Sequence, residues 1–210
     1  MSFLTAMIYD RFMGNLEDAC LTEWRSELLA PLKGDVLEVG AGTGVNLHLY
    51  PKSLDQLILS EPDTSMRKQL IRKLKGSRRE FIQVSGDSAE QINVTDNSFD
   101  YVVMMLVGCS VFNQIQVYEE LKRVLKPGGQ LVFMEHVGAE VGTSRRRWQN
   151  RITPIWKRVA GNCHLNRDTE QTIRDAGFQI TQVKRESMRK AASVVRPTIR
   201  GYARVASDHL

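Results

Sequence analysis

The chain has 210 residues, 42% of them hydrophobic and 25% charged, which suits one domain with a sizeable core and excludes a disordered or fibrous protein. A net charge of +5 favours an anionic substrate, membrane surface or RNA without choosing among them. No apolar run approaches the roughly 18 residues that a membrane span needs, and residues 1–12 carry Asp10 and no basic cluster, so neither a span nor a signal peptide is expected and the expected location is cytoplasmic.

In chain order, Leu16, Cys20, Leu21, Trp24, Leu28 and Leu29 recur at three- and four-residue spacing, predicting an amphipathic helix over 15–29 with Asn15 as its cap. Pro31 and Gly34 end it, and Asp35 to Val39 reads as the first strand. That strand runs into Gly40-Ala41-Gly42-Thr43-Gly44. Such a turn lets a ligand approach bare backbone. A short helix over Val45–Tyr50, a second strand over Gln56–Ser60 ending at Glu61, and a helix begun by Pro62 and Asp63 follow. The last of these carries Met66, Leu70, Ile71 and Leu74 on its apolar face.

Further strands are predicted over 80–84, 99–107 and 130–134, the second apolar enough to be buried on both faces. A helix over 114–125 stops at Pro127-Gly128-Gly129. The alternation implies a parallel sheet covered on both sides, with ligands at the carboxyl ends of the strands. There the reading gathers Gly40 to Gly44, Glu61, Asp87, Leu106 to Cys109 and Glu135-His136. The stretch 143–160 reads as a helix interrupted near Pro154, with Trp148, Ile152, Ile155, Trp156 and Val159 on one apolar face. Arg145, Arg146, Arg147, Arg151, Lys157 and Arg158 could lie on an anionic membrane or bind RNA. The plainer account is a solvated face over an aromatic core stripe. A helix over 168–176 precedes a hairpin of 178–183 and 199–205, with 186–198 as a long insertion.

No metal site is expected. Cys20, Cys109 and Cys163 have neither knuckle nor C-x-x-C spacing, so they read as reduced thiols, and Cys163-His164 lacks a second ligand pair. A dinucleotide fingerprint is also a poor fit, because its third glycine position is Val45 and Gly44 falls one residue early.

The glycine turn, with Gly86-Asp87-Ser88-Ala89-Glu90, the 96–103 block and Leu121 to Gly129, resembles the class I S-adenosylmethionine-dependent methyltransferases. Tyr9-Asp10 and the middle blocks resemble the ubiquinone and menaquinone C-methyltransferases. The carboxyl-terminal third is similar to the methyltransferase-like alkyl-thiol S-methyltransferases, through Phe133 to Val137, Trp148, Pro154, Trp156, Gly161-Asn162-Cys163, Leu165, Arg167, Arg196-Pro197 and Gly201-Tyr202-Ala203.

The resemblance implies a Rossmann-like α/β fold, a seven-stranded sheet that is mostly parallel with an antiparallel carboxyl-terminal hairpin. It implies one methyltransferase domain, with 1–30 as a lid helix, 31–135 as the cofactor-binding core and 136–210 on the acceptor side. S-adenosyl-L-methionine would lie against Gly40, Gly42 and Gly44, with Glu38 near its amino group and Glu61 on its ribose. Asp87 and the Ser88 backbone would meet the adenine, Pro62, Met66 and Leu106 would line the site, and Tyr9 would fold over it. The acceptor implied is a small molecule, foremost a thiol, with no obligate protein partner. If the acceptor is a thiol, a base that frees the thiolate would help, and His136 is the candidate. C- or N-methylation of a quinone precursor or phospholipid head group is the runner-up, and a non-catalytic cofactor-binding or RNA-associating module is a third reading.

Overall fold

The computed structural model describes residues 17–75 and 80–205. Strands β1 (Gly34–Val39), β2 (Leu54–Ser60), β3 (Ile82–Ser85), β4 (Phe99–Met105), β5 (Leu125–His136), β6 (Phe178–Ser187) and β7 (Pro197–Val205) form one sheet in the order β3-β2-β1-β4-β5-β7-β6. The first five run parallel, and β7 is antiparallel to both β5 and β6. The direction of winding reverses between β1 and β4, which opens a crevice at their carboxyl ends.

Successive residues of the central strands supply opposite layers, as a pleat requires. Val103, Met105, Val132 and Met134 join one buried cluster with Leu21, Leu28 and Leu57. Val102, Met104, Leu131 and Phe133 join the other with Tyr118 and Leu121. This two-sided burial explains the near-continuous apolar runs of β4 and β5.

The first layer is closed by a π-helical turn, Glu17–Leu21, leading into α1 (Thr22–Leu29). Asn15, the expected cap, lies outside the described residues. In α2 (Thr64–Leu74) the Asp63 carboxylate accepts the Ser65 and Met66 N–H groups at 2.9 and 3.0 Å, satisfying donors that a helix start leaves open. Asn113 caps α3 (Gln114–Val124) and Thr143 caps α4 (Ser144–Val159) in the same way. The last helix is α5 (Thr169–Asp175).

Three expectations are corrected. Residues 45–50 form consecutive turns rather than a helix, with Leu47 and Leu49 N–H groups bonded to the Gly44 and Asn46 carbonyls. The insertion in the hairpin is shorter than predicted, because β6 and β7 extend to Ser187 and back to Pro197. Helix α4 runs through Pro154, and much of its expected apolar stripe faces outward: Trp148 is 56%, Ile155 66% and Val159 71% exposed, while Ile152 and Trp156 are half-buried. Its buried line holds Gln149 and Thr153 instead. Gln149 accepts from the Ala139 N–H at 2.7 Å and donates to the Val137 and Val194 carbonyls. Those loop groups, once buried, need polar partners that an apolar residue cannot supply.

Candidate active site

The turn after β1 is pinned to the neighbouring strands. Ala41 N–H bonds to the Ser60 carbonyl at 2.9 Å, and the Glu61 carboxylate accepts the Gly42 and Asp63 N–H groups, each at 2.8 Å. Glu61 is 6% exposed, and burial raises its carboxyl above the usual range despite those two bonds. Gly40 has φ +67° and faces Val107 so closely that an added Cβ would collide with that side chain. Gly42 has φ +58° and open space where a Cβ would stand. Gly44 packs on Leu70, so its lack of a side chain serves the seating of the turn on α2.

Glu38 is turned into the protein. Its carboxylate accepts from Asn46 at 2.7 Å and from the Tyr50 hydroxyl at 2.8 Å, and burial raises its carboxyl. Asn46 also accepts from Arg25 of α1 at 3.0 Å, and Arg25 pairs with Glu17 at 3.1 Å. Glu38 therefore holds the 43–50 turns and, through Asn46, the first helix, with both oxygens already engaged inside the protein. Tyr9 lies outside the described residues. On the other flank, Ser60 Oγ donates to the Asp87 carbonyl at 2.6 Å, so Asp87 and Ser88 stand at the rim beside Glu61. Met66 is buried and Pro62 exposed at the start of α2.

Across the crevice β4 is followed by Leu106, whose φ of +60° is unusual for a residue with a side chain. Its N–H bonds to the Met134 carbonyl at 2.7 Å. The next three N–H groups, of Val107, Gly108 and Cys109, are accepted by the Glu135 carboxylate at 3.0, 2.9 and 3.3 Å. Glu135 is fully buried, and burial pushes its carboxyl up to about 7 against the pull of those N–H donors. Arg167 donates to the Gly108 and Val111 carbonyls and clamps the same loop from outside. No role was legible for either residue in the sequence, although an acid inside the apolar run of β5 is the kind of signal that marks one.

The loop held this way brings Cys109 to His136 and Cys163. His136 Nε2 lies 2.9 Å from Cys163 Sγ. The three ligand-type atoms are within 4.8 Å of one another, and the buried His136 Nδ1 has no hydrogen-bond partner. The Cys109 thiol and burial hold the Cys163 thiol well above the usual range.

Residues 37–133 match a family described as a methyltransferase domain. The chain is 36% identical over 175 residues to human thiol S-methyltransferase TMT1A, which covers 81% of this chain and 70% of that protein. The chain belongs to the class I S-adenosylmethionine-dependent methyltransferases. A second likeness, to the ubiquinone/menaquinone biosynthesis C-methyltransferase of Hahella chejuensis, is 32% over 107 residues and covers 48% of this chain and 42% of that one. The solved structure of a methyltransferase from Bacillus halodurans superimposes with a TM-score of 0.70 at 18% identity, covering 87% of this chain and 99% of that chain. This last likeness shows the fold.

S-adenosylmethionine is the cofactor of this methyltransferase, and the crevice fits it on its own terms. The open face of Gly42 leaves backbone accessible, and the Glu61 oxygens each keep a lone pair beyond their backbone bond for ribose hydroxyls. Gly40, Gly42, Glu61, Met66, Asp87, Ser88 and Leu106 all come to the carboxyl ends of β1 to β4 and the start of α2.

Proposed function

We propose that this methyltransferase methylates the sulfur of a small thiol. The observation that carries the reading is its similarity to thiol S-methyltransferase TMT1A, which extends over 81% of the chain, far beyond the cofactor turn. S-adenosylmethionine supplies a sulfonium-bound methyl group open to in-line attack. The chain's own part is to fix the geometry and exclude water, which lowers the barrier without an obligatory base. Glu61 and the glycine turn hold one side of the crevice, and Glu135 and Arg167 fix the loop on the other. His136 is our candidate for the group that meets the acceptor thiol, because the nucleophile is the thiolate.

Incubating purified protein with labelled cofactor and a panel of alkyl thiols should give thioethers. Turnover of a demethylated quinol or an ethanolamine phospholipid, with none of any thiol, would instead support the C- or N-methyltransferase reading. Cofactor binding with no turnover of any acceptor would support the non-catalytic one.

For the basic stretch we propose contact with an anionic lipid surface. Helix α4 has six cations and no acid among its 16 residues. Trp148, Ile155 and Val159 stand exposed along one line of it, flanked by Arg145, Arg151 and Arg158. That combination suits the headgroup boundary, where apolar side chains insert and cations pair with phosphate. RNA would use the cations but leave Ile155 and Val159 without a role. Among the described residues no helix is long and apolar enough to cross a membrane. Co-sedimentation should occur with phosphatidylserine-containing vesicles, not with neutral ones, and be weakened by salt or by R151E/R158E. Equal retention by neutral vesicles, or preference for single-stranded RNA, refutes the assignment.

A further inference from the structure

We infer that Cys109, His136 and Cys163 form a binding site for a zinc-class divalent cation, with the fourth position open to the acceptor thiolate. The fold brings the three donors together from separate elements. Cys109 follows β4, His136 ends β5, and Cys163 lies in the loop after α4, whose next residue donates its N–H to the Cys109 carbonyl at 2.8 Å. Sγ of Cys109, a ring nitrogen of His136 and Sγ of Cys163 all lie within 4.8 Å of one another. Ligand atoms of one tetrahedral ion, bonded at about 2.0–2.3 Å, are separated by distances of that order.

The donor set is selective. Two thiolates and an imidazole favour zinc and its neighbours over magnesium or calcium, which take oxygen. A dipositive ion with two thiolates and a neutral imidazole carries no net charge, so it can sit in a buried place. Three ligands rather than four are the mark of a site that keeps a position for substrate. Cys109 and Cys163 are free thiols, and Leu106, Val107 and Gly108, just before Cys109, border the glycine turn through Val107 and Gly40. The site therefore stands on the acceptor side of the cofactor crevice.

The chemical role rests on the thiol reading proposed above. A thiol that binds the ion gives up its proton to water and stays as thiolate, because a coordinating thiol is deprotonated outright. Its sulfur lone pair then forms the new bond to the methyl carbon, and the electron pair of the breaking carbon–sulfur bond returns to the donor's sulfonium, leaving a neutral thioether on each side. His136 acts here as a ligand through its imidazole, so no separate base is required.

The test begins with metal alone. Reduced protein stripped by a chelator should take up about one equivalent of cobalt(II) with the intense visible bands of a tetrahedral site and a thiolate-to-cobalt charge-transfer band, and zinc should displace it. C109S and C163S should each remove that charge-transfer contribution and weaken zinc binding by more than the roughly 10- to 100-fold that loss of an outer partner costs. C20S, whose thiol is buried among Leu21, Trp24 and Leu28 and is not one of the three donors, should bind like the parent, and circular dichroism checks that each variant is folded. Adding an alkyl thiol to the cobalt protein should shift the bands. Failure of the reduced parent protein to bind either ion, or a C20S loss equal to that of C109S, overturns the site. Undiminished thiol methylation by the zinc-free protein overturns its chemical role, whereas cobalt binding with turnover only of a quinol leaves the site standing and removes the thiol acceptor.

Discussion

Replacing Glu61 with glutamine tests the cofactor site at the point where its geometry is best defined. Both carboxylate oxygens are in use, Oε2 by the Gly42 N–H and Oε1 by the Asp63 N–H, each at 2.8 Å. Glutamine keeps the size and one acceptor but sets an NH2 group against one of those donors and against one ribose hydroxyl. A hydrogen bond to a charged acceptor is worth about 1.5–3 kcal/mol. Losing one should weaken cofactor binding by about 10- to 100-fold, at about 1.4 kcal/mol per factor of ten.

Titration calorimetry with S-adenosylmethionine and its demethylated product measures this directly, and pH supplies a second readout. Burial raises the Glu61 carboxyl, and the ribose bonds need the ionised form. Affinity should therefore be full at neutral pH and decline as pH falls through that raised value, a window lying above the ordinary glutamate value of about 4.3. The glutamine variant should lack this dependence. Affinity for Glu61→Gln within about twofold of the parent, with the same pH profile, would refute the placement of the ribose at Glu61.

Gly40→Ala should destabilise the protein by about 2–4 kcal/mol, combining left-handed backbone strain with collision against Val107. Adding Val107→Ala should relieve the collision but not the strain, so denaturant unfolding of a double variant no more stable than Gly40→Ala would contradict this division. Glu135→Ala leaves three N–H groups, two of them buried, without an acceptor, at about 1 kcal/mol each. A fall in Tm of about 6–12 °C is expected from calorimetry, and one under about 2 °C would show that the loop is held otherwise. At the far end of the sheet Lys126 pairs with Asp35 and Asp100 at 2.7 and 2.9 Å. Burial opposes the Asp100 charge, but Lys126 and the Asp35 N–H outweigh it and hold that carboxyl low. The resulting stability is present above the unfolded value of about 3.9 and is lost as pH falls through the depressed folded value. Lys126→Ala should shift acid unfolding to higher pH, and identical acid midpoints would remove the pair from the account.

Much of the scaffold was legible because local pattern and global burial agree in it. The apolar runs of β4 and β5, the Asp63 cap and the glycine turn each carry their own signal. The departures occur where polar groups decide the local structure. The helix expected over 45–50 gives way to turns because Asn46 is drawn to both Glu38 and Arg25. Helix α4 exposes much of the side its periodicity would bury, because Gln149 must serve the carbonyls and N–H of loops that only the tertiary fold brings near. The strand-end rule gathered Cys109 and His136 at one crevice, but their meeting with Cys163 was not legible. Successive members of the group are 27 residues apart, and Cys163 reaches the other two through the tertiary fold rather than through any short motif.

The position of β7 has a consequence for the order in which the molecule can assemble. Among the described residues β6 pairs with the sheet only through β7, which lies between it and β5. During synthesis, therefore, the cofactor half can close around β1 to β5 while β6, already made, has no edge to join. Only when residues 197–205 are available can both strands add at once, one sliding in beside β5 and carrying the other. Pairings of such long range are slow, and until they form the β5 edge is an open template for another chain. Trimming even a few residues from β7 would thus leave a nearly complete cofactor half exposed along the β5 edge, whose 131–134 stretch is apolar, so aggregation rather than loss of cofactor affinity should be the first symptom.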